Sequence, residues 1–335
     1  MNRSGFITIF VLITFIICLT VCYFTIEIMS TQTLIQLSYR DKIQSEMLSE
    51  SKILRLLEDE SYFDSMLVPL IHKYFNNPSG PRSFKVKFEE NMDELDTYKE
   101  VEVIFLKEGN KQLMQLNTKT IYKGFTSFIT SKASIINYLF EVDKNPLITY
   151  GLSDETDKLL EDYFNYLGDN ISTDSLSGGI KGVYTYDHNV VKIGKGMNNL
   201  KKITKIRNGV ESYETFDRDV FLLMKNKLNT PIELIIEDNI DFRGILYIEG
   251  DLIINSDLDF KGIIILKGAD SNIVVDDSLI LDTSKKPKIF GIVLTDGNSI
   301  SSEFIDIRYE SGYIYRYGIY LPGFLQPKIE LIKIS

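Results

Sequence analysis

The chain has 335 residues, with 37 Lys and Arg against 47 Asp and Glu and a formal net charge of −10. At 44% hydrophobic and 25% charged residues it has the composition of a folded protein rather than a disordered one. The acidic balance argues against a nucleic-acid or anionic-membrane binder, which needs a positive footprint, and two His, two Cys and no Trp leave no ligand set of the usual kind for zinc.

The first element decides the compartment. From Phe6 to Ile26 there are 21 residues without a charge, which as a helix span roughly 31 Å, the hydrocarbon thickness of a bilayer. A buried core helix would not lack a polar face for so long. Thr8, Thr14, Thr20 and Thr25 are the only clearly polar residues here, and a helical Thr can bond its hydroxyl back to its own backbone. The exit, Tyr23-Phe24-Thr25-Ile26-Glu27-Ile28-Met29, offers no pair of small residues for a signal peptidase, so residues 6–27 read as an uncleaved transmembrane anchor. Arg3 precedes the span and Glu27 is the first charge after it. The positive-inside rule then puts residue 1 in the cytoplasm and residues 28–335 outside, in a single-pass arrangement. That outer part holds no cysteine, so it must fold without disulfides. Cys18 and Cys22 sit four apart on one face of the membrane helix and read as small apolar residues.

The start carries a more specific pattern. Met1-Asn2-Arg3-Ser4 is a very short basic stretch ending in Gly5, and Phe6 opens the apolar run directly. This resembles the leader of type IV pilin-like proteins, in which a prepilin-type peptidase cuts after the Gly and leaves a Phe as the new amino terminus. The resemblance implies a leader over residues 1–5, Gly5 and Phe6 as the processing site, and other pilin-like subunits as partners of the N-terminal helix. One position departs from the pattern: major pilins carry a Glu at the fifth position after the cut, where this chain has Phe10. Some minor pilins and tip pseudopilins also lack it, so the resemblance points to a minor subunit.

Residues 28–77 read as an extended helical stalk. They hold no Gly and one Pro, Pro69, before the stop at Asn76-Asn77-Pro78-Ser79-Gly80-Pro81, and Leu34, Leu37, Met47, Leu54, Leu57 and Leu67 recur at roughly helical spacing. Pro69 should kink or end the helix. A mixed α/β region follows over 82–231. Phe84, Val86 and Phe88 alternate with lysines, and Val101, Val103 and Phe105 with Glu100, Glu102 and Ile104, which predicts half-exposed antiparallel strands continuing through 112–142. Ser153 should cap a helix whose apolar stripe is Leu159, Leu160, Tyr163, Phe164 and Leu167 and which Gly168 ends. Loops and short strands are expected over 177–199, with Ser177-Gly178-Gly179 as a hinge, and a second helix over 216–228.

The strongest signal lies in the last third, 232–335. Three segments align without gaps, FRGILYIEG (242–250), FKGIIILKG (260–268) and IFGIVLTDG (289–297). Gly244, Gly262 and Gly291 share one place, Gly250, Gly268 and Gly297 another, and Ile245, Ile263 and Ile292 a third, taken as inward-facing. The shorter runs 252–254, 272–275 and 278–281 lie between them. Short β-branched strands at a rung-sized period, with Gly, Asn and Asp corners, are the signature of a β-solenoid; a β-sandwich with similar turns is the alternative. The recurring Gly marks places where the chain turns with positive φ or where one rung approaches the next. Similar short Gly-Ile-rich solenoids occur in pilus-assembly proteins of the minor-pilin type and in bactofilins. The segment 282–288 is expected as a loop thrown out between rungs. In the tail, Tyr313, Tyr315 and Tyr317 are placed on one strand face, and residues 309–335 are expected to cap the stack.

Chemistry is thin. Asp238, Asp241, Asp251, Asp257, Asp259, Asp270, Asp276, Asp277 and Asp282 cluster at the expected corners and read as solvated turns, with Ca²⁺ as the one metal their oxygens suit. His188 beside Asp187 has no partner nucleophile and His72 stands alone. The expected fold is α+β: a membrane helix continuing as a stalk, a mixed middle region and a β-solenoid-like domain. The expected function is a non-enzymatic component of a type IV pilus-like or secretion filament, without catalytic residues, cofactor or metal. The alternative is a membrane-anchored surface protein whose solenoid binds a glycan, cell wall or protein.

Overall fold

A computed structural model of the chain describes residues 3–334 apart from 78, 90–93, 95, 110, 143, 144, 175, 177, 178, 228, 229, 269, 282–285 and 298–303. The chain opens with one unbroken helix, α1 (Arg3–Glu58), of 56 residues, about 84 Å long at the standard rise. Thr14, Thr20, Thr25, Thr31 and Thr33 each donate their hydroxyl to the carbonyl four residues earlier, at 2.8 to 2.9 Å, so the polar groups of the apolar half are satisfied within the helix. The helix breaks at Asp59, not at Pro69. The Asp59 carboxylate accepts from the Ser61 amide at 3.0 Å and its hydroxyl at 2.6 Å, capping a new helical turn, α2 (Glu60–Tyr62). After a wider, π-type turn, α3 (Val68–Asn76) carries Pro69 in its first turn, where proline has no helical amide bond to lose.

Strands β1 (Ser83–Lys87), β2 (Glu100–Glu108), β3 (Lys111–Tyr122) and β4 (Phe125–Ile136) form the expected antiparallel meander. Lys123 and Gly124, both at positive φ, make the two-residue turn between β3 and β4. The last turns of α1 lie across β3 and β4. After β5 (Leu147–Ile148), α4 (Asp154–Asn170) starts at Ser153, whose hydroxyl accepts from the Thr156 amide at 3.1 Å. It continues past Gly168, where an added Cβ would fall 2.3 Å from Lys267 Nζ. That glycine does not end the helix.

From here the pairing turns parallel. The strands are β6 (Lys181–Tyr186), β7 (Val190–Lys195), β8 (Lys201–Arg207), β9 (Val210–Phe216), β10 (Asp219–Lys225), β11 (Glu233–Ile236), β12 (Ile240–Ile248), β13 (Asp251–Ile254), β14 (Leu258–Leu266), β15 (Ile273–Val275), β16 (Lys288–Thr295) and β17 (Asp306–Arg308). One sheet runs β6-β10-β12-β14-β16-β17 with every neighbour parallel, and β5 adds to β16. A second runs β7-β11-β13-β15, also parallel, and extends through the antiparallel hairpin β8–β9. The chain alternates between them, β10 to β11 to β12 to β13 to β14 to β15 and back to β16. Register aligns the repeat as written: Gly244 with Gly262 and Gly291, Ile245 with Ile263 and Ile292.

Leu222, Leu246, Ile264 and Val293 face Leu234, Ile236, Leu252 and Ile254 in a buried layer between the two parallel sheets. Phe216, Phe242 and Phe260 meet edge to face through it with ring centres 5.8 and 5.1 Å apart. Ile245, Ile263 and Ile292 are fully buried but on the other face of the first sheet. There they join Tyr247, Ile265 and Leu294 in a larger core shared with α3, α4 and the antiparallel sheet. The inward assignment of these isoleucines is therefore corrected: period two puts them opposite Phe242 and Ile264, and both faces are covered.

Five further expectations are corrected. Residues 219–225 form β10, not a helix, because Asp-Val-Phe-Leu-Leu-Met-Lys is buried on both faces and such a run has no readable period. Residues 277–281 form a helical turn, α5 (Asp277–Leu281), begun by Asp276, whose carboxylate accepts from the Ser278 amide at 2.9 Å. Tyr313, Tyr315 and Tyr317 lie on a helix, α6 (Ser311–Gly318), packed on β12, β14 and β16. The last strand, β18 (Leu325–Ile334), pairs antiparallel with β4, so the tail completes the antiparallel sheet instead of capping the repeats. The parallel pairing also starts at β6, well before residue 232; β6 and β10 lack the glycine that marks the later copies.

Candidate functional site

Gly5 and Phe6 fall in the first turns of α1; Met1, Asn2 and the side chains of residues 3–6 lie outside the described residues. From Ile7 onward the helix is apolar and exposed, with an 18-residue window of mean hydropathy 2.7 and none of it buried, so α1 is long and apolar enough to cross a membrane. The exposure does not stop at the end of the uncharged span. Leu34 and Ile35 are each 62% exposed and Tyr39 66%, on helix that precedes the first buried residue, Ser45.

The inner end of α1 is fixed by an ion pair that the sequence reading missed. Lys52 Nζ lies 2.5 Å from Asp96 Oδ2, and each side chain is 1% exposed. The ammonium also donates to the carbonyls of Tyr98 at 2.5 Å and Lys119 at 2.8 Å and to Thr120 Oγ1 at 3.1 Å. Asp96 in turn accepts from the amides of Tyr98 and Ile121 at 3.1 and 3.4 Å. Burial lowers the Lys52 pKa, and the Asp96 carboxylate opposes that shift. One signal was legible: Lys52 sits at i+4 from Leu48 and i−4 from Leu56, a charge in the buried stripe of an amphipathic helix.

The repeat residues come together as a column. Gly244, Gly262 and Gly291 have φ of 138°, 153° and 155°, and an added Cβ would stand 1.7, 1.9 and 1.8 Å from the carbonyl oxygens of Val220, Gly244 and Gly262. Gly250 and Gly297 make similar approaches to the carbonyls of Ile232 and Ser271, at 2.2 and 2.4 Å, while Gly268 turns with φ 134°. Both expected reasons for the glycines hold, close approach and positive φ.

Several acidic corners bond to neighbouring strand ends instead of standing free in solvent. Asp238 accepts from the Lys195 amide at 2.7 Å, Asp251 from Asn272 at 2.8 Å and Asp296 from Gly268 at 2.5 Å. Each ties a corner on one strand to its neighbour on the next and satisfies an amide at the strand end. Among the described residues no three His, Cys, Asp or Glu side chains are grouped to hold a metal; Asp282 lies outside the described residues. His188 Nδ1 accepts from the Tyr186 amide at 3.2 Å and shapes a turn; His72 packs its ring edge-on against Tyr320, 5.7 Å between centres.

Two polar clusters join the layers. Asp219 accepts from Arg243 Nε at 2.6 Å, from the Tyr317 hydroxyl at 3.0 Å and from Arg316 at 3.3 Å, fastening α6 to β10 and β12. Glu141 accepts from the Gln112 amide at 3.0 Å and the Tyr315 hydroxyl at 3.2 Å, beside an 800 Å³ cleft that Lys111, Tyr138 and Glu330 also line. Burial pushes the Glu141 carboxyl above the usual range. A carboxyl whose folded pKa is raised contributes stability at low pH that is lost as pH rises through the folded value. Glu141→Gln should therefore melt above wild type at pH 8, with the gap narrowing as pH falls and closing only below the ordinary carboxyl range; a gap independent of pH would show that Glu141 ionises as freely in the fold as in the unfolded chain. All these charged groups are held by structural partners.

The chain matches no family model, no curated protein and no solved structure.

Proposed function

We propose that this protein is a non-enzymatic subunit of a type IV pilus-like or secretion filament, of the minor-pilin kind, anchored by residues 6–27 until assembly and carrying residues 28–335 outside the membrane. The carrying observation is the single helix α1, bare along most of its length and locked at its inner end to an antiparallel sheet through Lys52 and Asp96. A bilayer covers only about 20 helical residues. The bare apolar positions Leu34, Ile35 and Tyr39 lie beyond that, and in this reading helices of other subunits cover them. The Gly5-Phe6 junction at the head of the helix supports the same reading. In it, the alternation of β10 to β16 between two parallel sheets is a short solenoid, open at its sides, carried as a head on the stalk.

The test is amino-terminal sequencing of the protein coexpressed with a prepilin-type peptidase. The mature chain should begin at Phe6, and Gly5→Leu should leave it uncut at Met1, because a side chain at the cut site obstructs the peptidase. A wild-type chain that still begins at Met1 beside an active peptidase removes the main support for the filament reading.

A further inference from the structure

We propose that the groove at the β7–β8 and β9–β10 corners of the parallel stack binds an acidic saccharide. From Val190 to Val210 the chain carries Lys192, Lys195, Lys201, Lys202, Lys205 and Arg207 and no Asp or Glu, although the whole chain is acidic. The fold brings part of this run against the strand ends at Asp217, Arg218 and Asp241, around a groove of 390 Å³ lined also by Asn199 and Asn239. Arg218 and Asp241 continue it into a recess of 150 Å³ walled by Arg243, Lys261 and Tyr313. The volume lies in the roughly 300–1,000 Å³ range of small-ligand sites.

Local charge separates this groove from ordinary surface. Lys195, Lys201, Arg218, Arg243 and Lys261 face it, against Asp217 and Asp241. Lys201 is paired with Asp241 at 3.7 Å, Arg243 with Asp219 at 2.6 Å and Lys261 with Asp259 at 3.1 Å. Lys195 and Arg218 are exposed and form no ion pair among the described residues, so their charges are left for a ligand. Arg218 stands where the two recesses meet, and its planar fork suits a carboxylate held by two hydrogen bonds. The amides of Asn199 and Asn239 and the carboxylates of Asp217 and Asp241 supply the mixed donors and acceptors that hydroxyl groups need, and the Tyr313 ring offers an apolar plate at one end. A nucleic-acid backbone fits less well, since the groove lacks a run of rings for base stacking.

The site is independent of the filament reading and of whether residues 1–5 are removed. Detergent-solubilised full-length protein is titrated with hyaluronate and polygalacturonate hexasaccharides, with maltohexaose and an oligothymidylate as comparisons. At least one acidic hexasaccharide should bind, less tightly as salt rises, and Arg218→Ala with Lys195→Ala should weaken it about tenfold or more without moving the melting curve, since both side chains are exposed. Lys85→Ala, on β1, should bind as wild type. Absence of binding by both acidic sugars, equal binding of maltohexaose, tighter binding of the oligothymidylate, or unchanged affinity in the double variant would each overturn the proposal. A failure here leaves the processing result untouched, and an uncut amino terminus leaves this result untouched.

Discussion

Gly262→Ala should unfold the parallel stack, at a cost of about 4 kcal/mol or more, while Gly209→Ala should cost only about 1 kcal/mol. Both glycines have positive φ, so both variants carry the backbone strain of placing a Cβ there. They differ in what the new methyl meets. At Gly209, in the β8–β9 turn, nothing lies within 4 Å; at Gly262 the Gly244 carbonyl oxygen stands 1.9 Å away. That oxygen belongs to the neighbouring strand, itself held against Val220 and paired over nine residues, so it has no room to yield. The damage should spread, because Gly244, Gly262 and Gly291 are consecutive members of one column. Urea unfolding of the full chain in detergent, followed by circular dichroism, measures both. Equal midpoints for the two variants would show that the column tolerates a methyl and that close approach is not why glycine recurs.

Lys52→Met should destabilise the junction of α1 with the sheet by about 3–5 kcal/mol, and Asp96→Asn by a similar amount, because each leaves one buried charge without its partner. The double variant should lose clearly less than the two singles combined, since no uncompensated charge then remains. Asn keeps an oxygen for the amides of Tyr98 and Ile121, which limits the collateral loss. The readout is the urea midpoint together with limited proteolysis in the last turn of α1, where a released helix would open Arg55 to trypsin. Strictly additive losses would mean that Lys52 and Asp96 act separately and that the ion pair is not what fixes the stalk.

The N-terminal helix and the repeat were legible from local rules. An uncharged run needs only its own length and composition to become a helix suited to a bilayer, and the spacing of Gly244, Gly262 and Gly291 already contains the register of β12, β14 and β16. Ser153 as a cap and the alternation in β1 and β2 are equally local. Tertiary structure decided what those rules leave degenerate. The run 219–225 is buried on both faces and has no period of its own, so its parallel neighbours β6 and β12 make it a strand. Tyr313 and Tyr317 are spaced for either a strand or a helix turn, and Asp219, far away in the chain, supplies the partner that holds Tyr317 on α6. The tail returns to β4 because its strand finds an open edge there, a choice no local pattern records. The groove around Arg218 arises likewise: a basic run is visible in the sequence, but only the strand pairing sets Lys195 and Lys201 around one recess and Arg243 around the adjoining one, with Arg218 lining both, because that pairing fixes which strand ends meet.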